Sequence, residues 1–318
     1  MVLALLMCLQ EKVEVKAHQS FYFIHVPTAY SDRKSWPLIV DLHAAGGEDE
    51  ARRELGEWAE LAERRGYIVV APKSRTKEWG TGKAASDAAF LRACLDAVKT
   101  KYRVDPERVL FAGFGRGAAY ALEFGAEHKD LLAGCAILMP TEVKSARKGP
   151  PTIILTGSDE AGWQRGLAAS TALSEAEADV TMRKLKGDSA DFPARDEYAG
   201  LLDWFEKKVK PRGDLETVEA FVAARRYLDA SLILAGLLER PEATLPVRWN
   251  LNRLEGRGLI ELGKVEIAVS EQRYVDAVLR CREAAAQYAW LPCGERARKR
   301  LEALEADPRV RRQLEKDN

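Results

Sequence analysis

Apolar residues follow two different periodicities along the first two thirds of the chain. Two short segments, Val13–Ala17 and Phe21–Val26, alternate apolar and polar residues, which predicts an antiparallel β-hairpin at the edge of a sheet. Later segments are nearly continuous apolar runs, the pattern of strands that are buried on both faces. These runs are Pro37–His43, Gly66–Pro72, Arg108–Gly113, Gly134–Met139 and Thr152–Thr156, and Val180–Leu185 is predicted to be a further strand.

Segments with the helical spacing of apolar residues lie between these runs. They are Glu50–Arg65, Ala84–Tyr102, Arg116–Glu127, Gly162–Ala178 and Ala194–Lys208. An antiparallel start followed by repeated strand–helix units predicts a mostly parallel sheet with helices on both faces. The pattern therefore predicts an α/β domain over residues 13–212.

The pattern changes after Pro211–Gly213, and from residue 214 to 318 apolar residues recur only with helical spacing. The motif Arg226–Ala230 (Arg-Tyr-Leu-Asp-Ala) returns as Arg273–Ala277 (Arg-Tyr-Val-Asp-Ala), and each copy opens an apolar helix. Helix pairs that repeat can bury apolar faces against one another. Residues 214–318 are therefore predicted to form an all-α domain of helical hairpins, with an irregular helical bundle as the alternative.

Residues 1–12 begin with an apolar segment that is too short to cross a bilayer. We interpret it either as the remnant of a signal peptide, which implies a secreted or periplasmic protein, or as a docking strand of a cytoplasmic one. Lys+Arg and Asp+Glu number 49 each, so no overall field favours nucleic acid or an anionic membrane. His, Cys and carboxylate residues lack the spacing of metal ligands, and the sequence predicts neither a metal nor a cofactor.

Three stretches of the chain resemble esterases of the α/β-hydrolase fold, in particular feruloyl esterases and polyhydroxyalkanoate depolymerases. Asp105–Gly117 resembles their strand-to-nucleophile segment, Leu42–Gly47 their oxyanion-hole loop, and Asp87–Leu91 the start of the helix before an Asp-Pro turn. The resemblance covers about residues 13–212 and implies the α/β-hydrolase fold with a Ser–Asp–His triad. Residues 214–318 are similar to degenerate tetratricopeptide-type helical hairpins.

The nucleophile of such a serine hydrolase stands in Gly-x-Ser-x-Gly, whose glycines permit a sharp, strained turn between a strand and a helix. Here the motif reads Gly113-Phe114-Gly115-Arg116-Gly117. The glycine frame is present, but the residue at the nucleophile position is Gly115. A glycine has no side-chain atom that can attack a carbonyl carbon.

The resemblance assigns the triad acid to Asp159 and the triad histidine to Ala190, where the family typically has Gly-His-x-Trp-Pro. The four histidines of the chain are His18, His25, His43 and His128, so none follows Asp159. Losing either the serine or the histidine typically costs on the order of a millionfold in turnover. The triad positions Gly115, Asp159 and Ala190 are therefore predicted to be vestigial.

The sequence of this segment allows two other interpretations. Gly113-x-Gly115-x-x-Ala118 also fits a dinucleotide-binding fingerprint, but the next strand ends at Leu138–Pro140 without the acidic residue that holds a ribose. Alternatively, N–H groups at the helix start and Arg116 hold a small carboxylate or sugar-acid ligand. The ligand-binding residues predicted on that basis are His43, Ala44, Ala45, Trp79, Arg116 and Asp159. The competing expectation is that side chains fill the cleft and that Gly115 relaxes the turn.

The sequence thus predicts an esterase-like protein without catalysis, which acts by binding a ligand or a protein. One alternative is an active ester hydrolase with an unrecognised nucleophile. Another is a structural protein that binds a protein partner only through residues 214–318. No transmembrane segment and no nucleic-acid partner are predicted.

Overall fold

The computed structural model describes residues 11–80, 87–141, 143, 146–187, 193–210, 212–239 and 245–316. Contacts divide the chain into two compact units, of which the first comprises residues up to 32, 36–95 and 104–211. The second unit comprises residues 33–35, 96–103 and those from 212 onward. Its two short early segments are not marked by any change of periodicity in the sequence. The prediction for the N-terminal apolar segment falls largely outside the described residues.

The first unit is built on an eight-stranded sheet. Its strands are β1 (Glu11–Val15), β2 (Ser20–His25), β3 (Trp36–Leu42), β4 (Ile68–Pro72), β5 (Val104–Phe114), β6 (Gly134–Leu138), β7 (Thr152–Thr156) and β8 (Val180–Lys184). They lie in the order β1-β2-β4-β3-β5-β6-β7-β8. β2 pairs antiparallel with β1 and with β4, and the other neighbours are parallel. The predicted mostly parallel sheet with an antiparallel edge is confirmed.

Helices cover both faces of this sheet. They are α1 (Glu48–Arg65), α2 (Asp87–Lys101), α3 (Arg116–Glu127), α4 (Glu160–Glu175) and α5 (Arg195–Lys208). Leu110 belongs to the apolar cluster that contains Trp58 of α1 and Phe205 of α5. Its neighbour Phe111 points to the opposite face, where it stacks on Phe124 of α3 with ring centroids 4.9 Å apart. The buried runs of the sequence are therefore strands with a packed helix on either side.

The loops that carry the predicted site residues meet at one edge of the sheet. β3, β5, β7 and β8 run parallel, so the segments that follow them leave from the same side. These segments begin at His43, Gly115, Gly157 and Leu185. Parallel pairing thus gathers residues that are far apart in the sequence.

The helices that follow residue 212 belong to the second unit. They are α6 (Leu215–Ala223), α7 (Tyr227–Leu238), α8 (Leu245–Ser270), α9 (Tyr274–Gln287), α10 (Pro292–Ala306) and α11 (Pro308–Lys316). Two apolar clusters hold them together, and α8 contributes Val247 and Leu254 to the first and Val265 and Ala268 to the second. Across the described residues, no helix has both the length and the apolarity needed to span a membrane.

The repeated Arg-Tyr motif marks two turns with the same backbone. Arg225 has φ 58° before Arg226, and Gln272 has φ 57° before Arg273. Arg226 donates its N–H to Phe221 O, and Arg273 donates its N–H to Ala268 O, both at 2.8 Å. The two motif copies therefore begin α7 and α9 in the same way.

Candidate functional site

The turn from β5 to α3 has the sharp geometry of a nucleophile elbow. Gly115 lies at its centre with φ 56° and ψ −111° and caps α3, and its N–H donates to Leu138 O at 3.0 Å. A Cβ on Gly113 would lie 2.5 Å from the backbone of Gly117. A Cβ on Gly117 would lie 1.8 Å from Leu42 O. Close backbone packing therefore requires glycine at the two outer positions.

The central glycine is under a different constraint. A Cβ on Gly115 would meet only the Cβ of Ala44, at an ordinary contact distance of 3.5 Å. The elbow therefore has room for a side chain, although its positive φ strains any residue that carries one. The turn has not relaxed, contrary to one of the two expectations from the sequence. Glycine instead lowers the cost of a geometry that the surrounding backbone imposes.

His43 of the oxyanion-loop segment is buried at 0 % exposure. Its Nε2 accepts a hydrogen bond from the N–H of Ser74 at 3.0 Å, so the ring proton resides on Nδ1, which contacts Ala44 O. Burial lowers the pKa of His43 to about 4. Both ring nitrogens thus bind the backbone of the loops. Its imidazole reaches no surface, so this burial gives no support to the ligand contact predicted for His43, which stays a prediction.

Trp79 closes over this histidine. Its indole N–H donates to His43 O at 2.8 Å, and its ring stacks on Tyr120 with centroids 5.6 Å apart. Only 5 % of Trp79 is exposed, so its ring packs in the interior, and the ligand contact predicted for it stays a prediction. Asp87 holds the loop that carries it by accepting the N–H groups of Gly80 at 2.8 Å and Arg75 at 3.3 Å. The stretch at Asp87 therefore positions the loop.

Ala44 and Ala45 complete the loop and differ in orientation. The N–H of Ala44 donates to Glu54 Oε1 at 3.0 Å and therefore points into the protein. Ala45 is exposed. An oxyanion placed at this loop would find the Ala44 N–H already bound to a carboxyl group.

Glu54 and Asp41 are two buried acids that sequence reasoning missed. Glu54 lies on the buried face of α1, and Asp41 on β3 accepts a hydrogen bond from the indole of Trp58 at 2.7 Å. Burial raises the pKa of Asp41 to about 7. Burial and the charge of Asp41 raise the pKa of Glu54 well above its usual value. The available signal was an acid inside an apolar run and another among Ala51, Leu55 and Trp58 on an apolar helix face.

Arg116 follows the elbow, and its side chain is more than half exposed. Its guanidinium binds the carboxylate of Glu78 at 2.6 Å. The positive charge that was predicted to attract an anion is therefore paired with an acid of the same chain.

Asp159 follows β7 at the position expected of a triad acid. It caps α4, and its carboxylate accepts the N–H of Gly162 at 2.8 Å. The neighbouring Ser158 donates its N–H to Gly187 O at 2.7 Å, which ties the loop after β7 to the loop after β8. Ala190 lies outside the described residues. The structure thus shows Asp159 as a helix cap.

Two cysteines and one serine of the first unit lack the surroundings of an activated nucleophile. Cys135 is buried within β6, where burial raises the pKa of its thiol to about 12. Cys94 is buried in α2, and its pKa is also raised by burial. Ser158 is exposed, but its hydroxyl donates to Gly187 O at 3.0 Å and no histidine stands beside it. The described residues also contain no cluster of three His, Cys or acidic side chains that could hold a metal.

The chain is similar in sequence to several esterases. It is 27% identical over 157 residues to a putative esterase, NocK, of Nocardia uniformis subsp. tsuyamanensis, which is 46% of each protein. It is 26% identical over 120 residues to feruloyl esterase B of Piromyces equi, covering 36% of this chain and 22% of that one. The chain thus matches less than half the length of these relatives. No protein-family model matches it.

Solved structures of esterases share its fold. A thermostable esterase superposes with a TM-score of 0.53 at 15% identity, covering 65% of this chain and 64% of that one. A ferulic acid esterase gives 0.52 at 14% identity, covering 62% and 96%. The butyrate-bound esterase of Thermogutta terrifontis gives 0.50 at 15% identity, covering 65% and 97%. The chain therefore has the α/β-hydrolase fold of esterases, followed by a helical segment.

Proposed function

We propose that this chain is an esterase-like protein that does not hydrolyse esters by the serine–histidine mechanism and that acts by binding. The observation that carries the proposal is Gly115 at the centre of an elbow whose backbone geometry is otherwise intact. The scaffold that normally lifts a hydroxyl above the sheet is present, and the hydroxyl is absent. What can remain without the triad is roughly a thousandfold over water, from the oxyanion hole and binding.

The missing base supports the same proposal. In this fold the histidine follows the last strand, and the segment between β8 and α5 contains none in the sequence. His43 directly precedes Ala44, the residue that a Cβ on Gly115 would meet at 3.5 Å. Because its two nitrogens are bound to backbone groups and its pKa is lowered, it is not available to accept a proton from a nucleophile.

The residues around the elbow favour binding at another part of the chain over ligand binding at the triad positions. His43 and Trp79 are buried, and Arg116 is paired with Glu78. A carboxylate at the elbow would have to displace the Glu78 carboxylate, so that part of the ligand prediction is the weaker one. The prediction that residues 214–318 bind a protein partner stays a prediction. It is supported by large apolar side chains exposed on α8, among them Trp249 and Ile267.

The test is hydrolysis of p-nitrophenyl acetate, p-nitrophenyl butyrate and methyl ferulate by the full chain, beside labelling with a fluorophosphonate. The wild type is expected to show at most the residual rate that remains without a triad, roughly a thousandfold over water, and to remain unlabelled. The double variant Gly115→Ser with Ala190→His restores the two missing groups. Its matched control is Gly115→Ala with Ala190→His, which carries the same backbone strain without a hydroxyl.

The Asp159→Asn variant tests whether any turnover by the wild type depends on the Asp159 carboxylate. Asparagine caps a helix as well as aspartate does, so α4 is preserved while the carboxylate is lost. Wild-type turnover that Asp159→Asn abolishes would overturn the proposal and reveal an unrecognised nucleophile. Labelling of the Ser/His variant, but not of its Ala/His control, would show that a serine at position 115 of this elbow reacts as a nucleophile.

A further inference from the structure

A cavity of about 660 Å³ lies within the helical unit and belongs to no site described above. It is lined by residues from the end of α6, the Arg225 turn, the start of α7, the middle of α8, the second half of α9 and Tyr288 directly after it. Its volume falls in the range of roughly 300–1,000 Å³ that is typical of ligand sites. Its lining is more polar than apolar, and it includes three arginines and two glutamates.

Most of these charges already have partners. Glu261 binds Lys264 at 2.7 Å, Glu283 accepts from the amide of Gln287 at 2.8 Å, and Arg280 binds Asp276 at 2.8 Å. Arg225 and Arg257 differ from them, because neither has a carboxylate partner in the part of the chain that the structure describes. The amide of Gln287 is neutral and leaves the charge of Glu283 unmatched, so the two arginines and this one carboxylate give the cavity lining a net positive charge.

An aromatic pair fixes the position of one of these arginines. Tyr227 and Tyr288 stack with ring centroids 5.7 Å apart and an interplanar angle of 15°. The Arg257 guanidinium lies 5.7 Å from the Tyr227 ring and donates to its hydroxyl at 3.3 Å. Because the guanidinium is held in place before any ligand arrives, less conformational entropy is lost when it binds one.

Arg225 is not required by the turn in which it lies. The equivalent position in the second copy of the turn is Gln272, which has the same left-handed backbone, with φ 57° against 58°. Since glutamine supports this conformation equally, the turn does not explain a positive charge at position 225. The charge is therefore a feature of the cavity.

We propose that this cavity binds an organic oxyanion, a carboxylate or a phosphate, between Arg225 and Arg257. The planar fork of a guanidinium matches both groups and binds them through two parallel hydrogen bonds. The tyrosine pair forms an aromatic wall beside the anion. The proposal does not depend on whether the elbow is catalytic.

The test is calorimetric titration of the full chain with citrate and, separately, with inorganic phosphate, in a low-salt buffer without competing anions. Saturable binding of at least one probe is expected at millimolar concentration or below. Arg225→Gln and Arg257→Gln are each expected to weaken it by about tenfold or more, the loss of one charge-assisted contact. Heat with citrate alone assigns a carboxylate ligand, and heat with phosphate alone assigns a phosphate ligand.

The matched control is Arg296→Gln. Arg296 is exposed on α10, does not line the cavity, and its loss changes the net charge by the same amount. Its affinity should equal that of the wild type, and thermal unfolding should show that all three variants fold. Absence of saturable heat with both probes would overturn the proposal. So would an equal loss of affinity in Arg296→Gln, since that result would mean nonspecific charge attraction.

Discussion

The elbow of the first unit and the two Arg-Tyr turns of the second unit each have a well-defined backbone geometry. They differ in whether the side chains that normally accompany that geometry are present. At the elbow the strained turn is kept while the side chain that gives it a chemical purpose is absent. At the turns before α7 and α9 the backbone and the motif Arg-Tyr-x-Asp-Ala are both kept. A backbone conformation can therefore be present without the side chain that gives it a chemical role.

The aspartates of the two motif copies, Asp229 and Asp276, differ in burial and in their ion pairs. Asp229 is buried, and it binds Lys99 of the same unit and Arg226, each at 2.7 Å. Burial raises the pKa of Asp229, but the two positive charges outweigh it and the net pKa is lowered. Asp276 is a third exposed and binds Arg273 and Arg280 in solvent. The same motif position is thus a buried aspartate in an ion pair in one copy and a surface aspartate in the other.

The carboxyl groups beneath the oxyanion loop show a third arrangement. Asp41 and Glu54 are buried like Asp229, but their pKa values are raised because burial dominates at both, and at Glu54 the charge of Asp41 adds to it. A buried acid is held ionised where cations surround it and is held protonated where they do not.

Gly117→Ala should give the largest loss of stability, more than about 4 kcal/mol, because its Cβ would lie 1.8 Å from Leu42 O and backbone cannot give way cheaply. The measurement is urea unfolding followed by circular dichroism. The matched control is Gly125→Ala in the same helix, whose Cβ would meet Pro150 at 3.7 Å. That variant should be neutral or slightly stabilised, by up to about 1 kcal/mol, because alanine favours helix. Equal behaviour of the two variants would contradict the steric account of the elbow.

Asp229→Ala should destabilise the protein by about 3–5 kcal/mol, because it leaves Lys99 buried without its partner. Asp276→Ala removes the equivalent residue of the second motif copy and should leave the unfolding midpoint nearly unchanged, since solvent screens its ion pairs. The two variants are compared by denaturant unfolding under the same conditions. Similar losses would mean that the motif, and not its surroundings, determines the contribution of the aspartate.

Asp41→Asn should change how stability depends on pH. The folded protein keeps a proton on Asp41 up to about pH 7, whereas an unfolded aspartate releases it near 3.8. The contribution of Asp41 to stability therefore falls as pH rises through this window. The variant should gain stability relative to the wild type across it, by up to about 1.4 kcal/mol per pH unit.

The measurement is urea unfolding of both proteins at several pH values from 4 to 7. His43 acts in the opposite direction, because its lowered pKa makes the folded state bind fewer protons than the unfolded state. It is present in both proteins and cancels in the difference. Parallel stability curves for wild type and variant would show that Asp41 is ionised in the folded state.

Gly115→Ser should have the smallest effect, a loss of about 1–2 kcal/mol from the positive φ, because the site offers room for the side chain. Gly115→Ala should lose about the same amount. Both are measured by thermal and urea unfolding. A loss as large as that of Gly117→Ala would mean that the elbow has no room for a nucleophile side chain. It would favour the alternative in which the cleft at the elbow is filled by side chains.

Much of the fold and part of the site followed from the sequence. The apolar runs predicted the buried strands, and the glycines at 113, 115 and 117 predicted the elbow. The roles of His43 and Trp79 did not follow, because a histidine in an oxyanion-loop motif looks the same whether it faces a cleft or the backbone of Ser74. Glu54 was missed because its partner, the N–H of Ala44, belongs to another element.

The amino-acid sequence is enough to predict the periodicity of the elements and the sharp turn at Gly115, and it shows that a serine and a late histidine are missing from the positions where related esterases carry them. Each of these features depends on residue type or on interactions between near neighbours in the chain. Which charges are compensated depends instead on tertiary packing. Lys99 meets Asp229 and Glu78 meets Arg116 across long stretches of chain. The electrostatic energy of a side chain depends on the dielectric and the charges packed around it, and local sequence does not specify either.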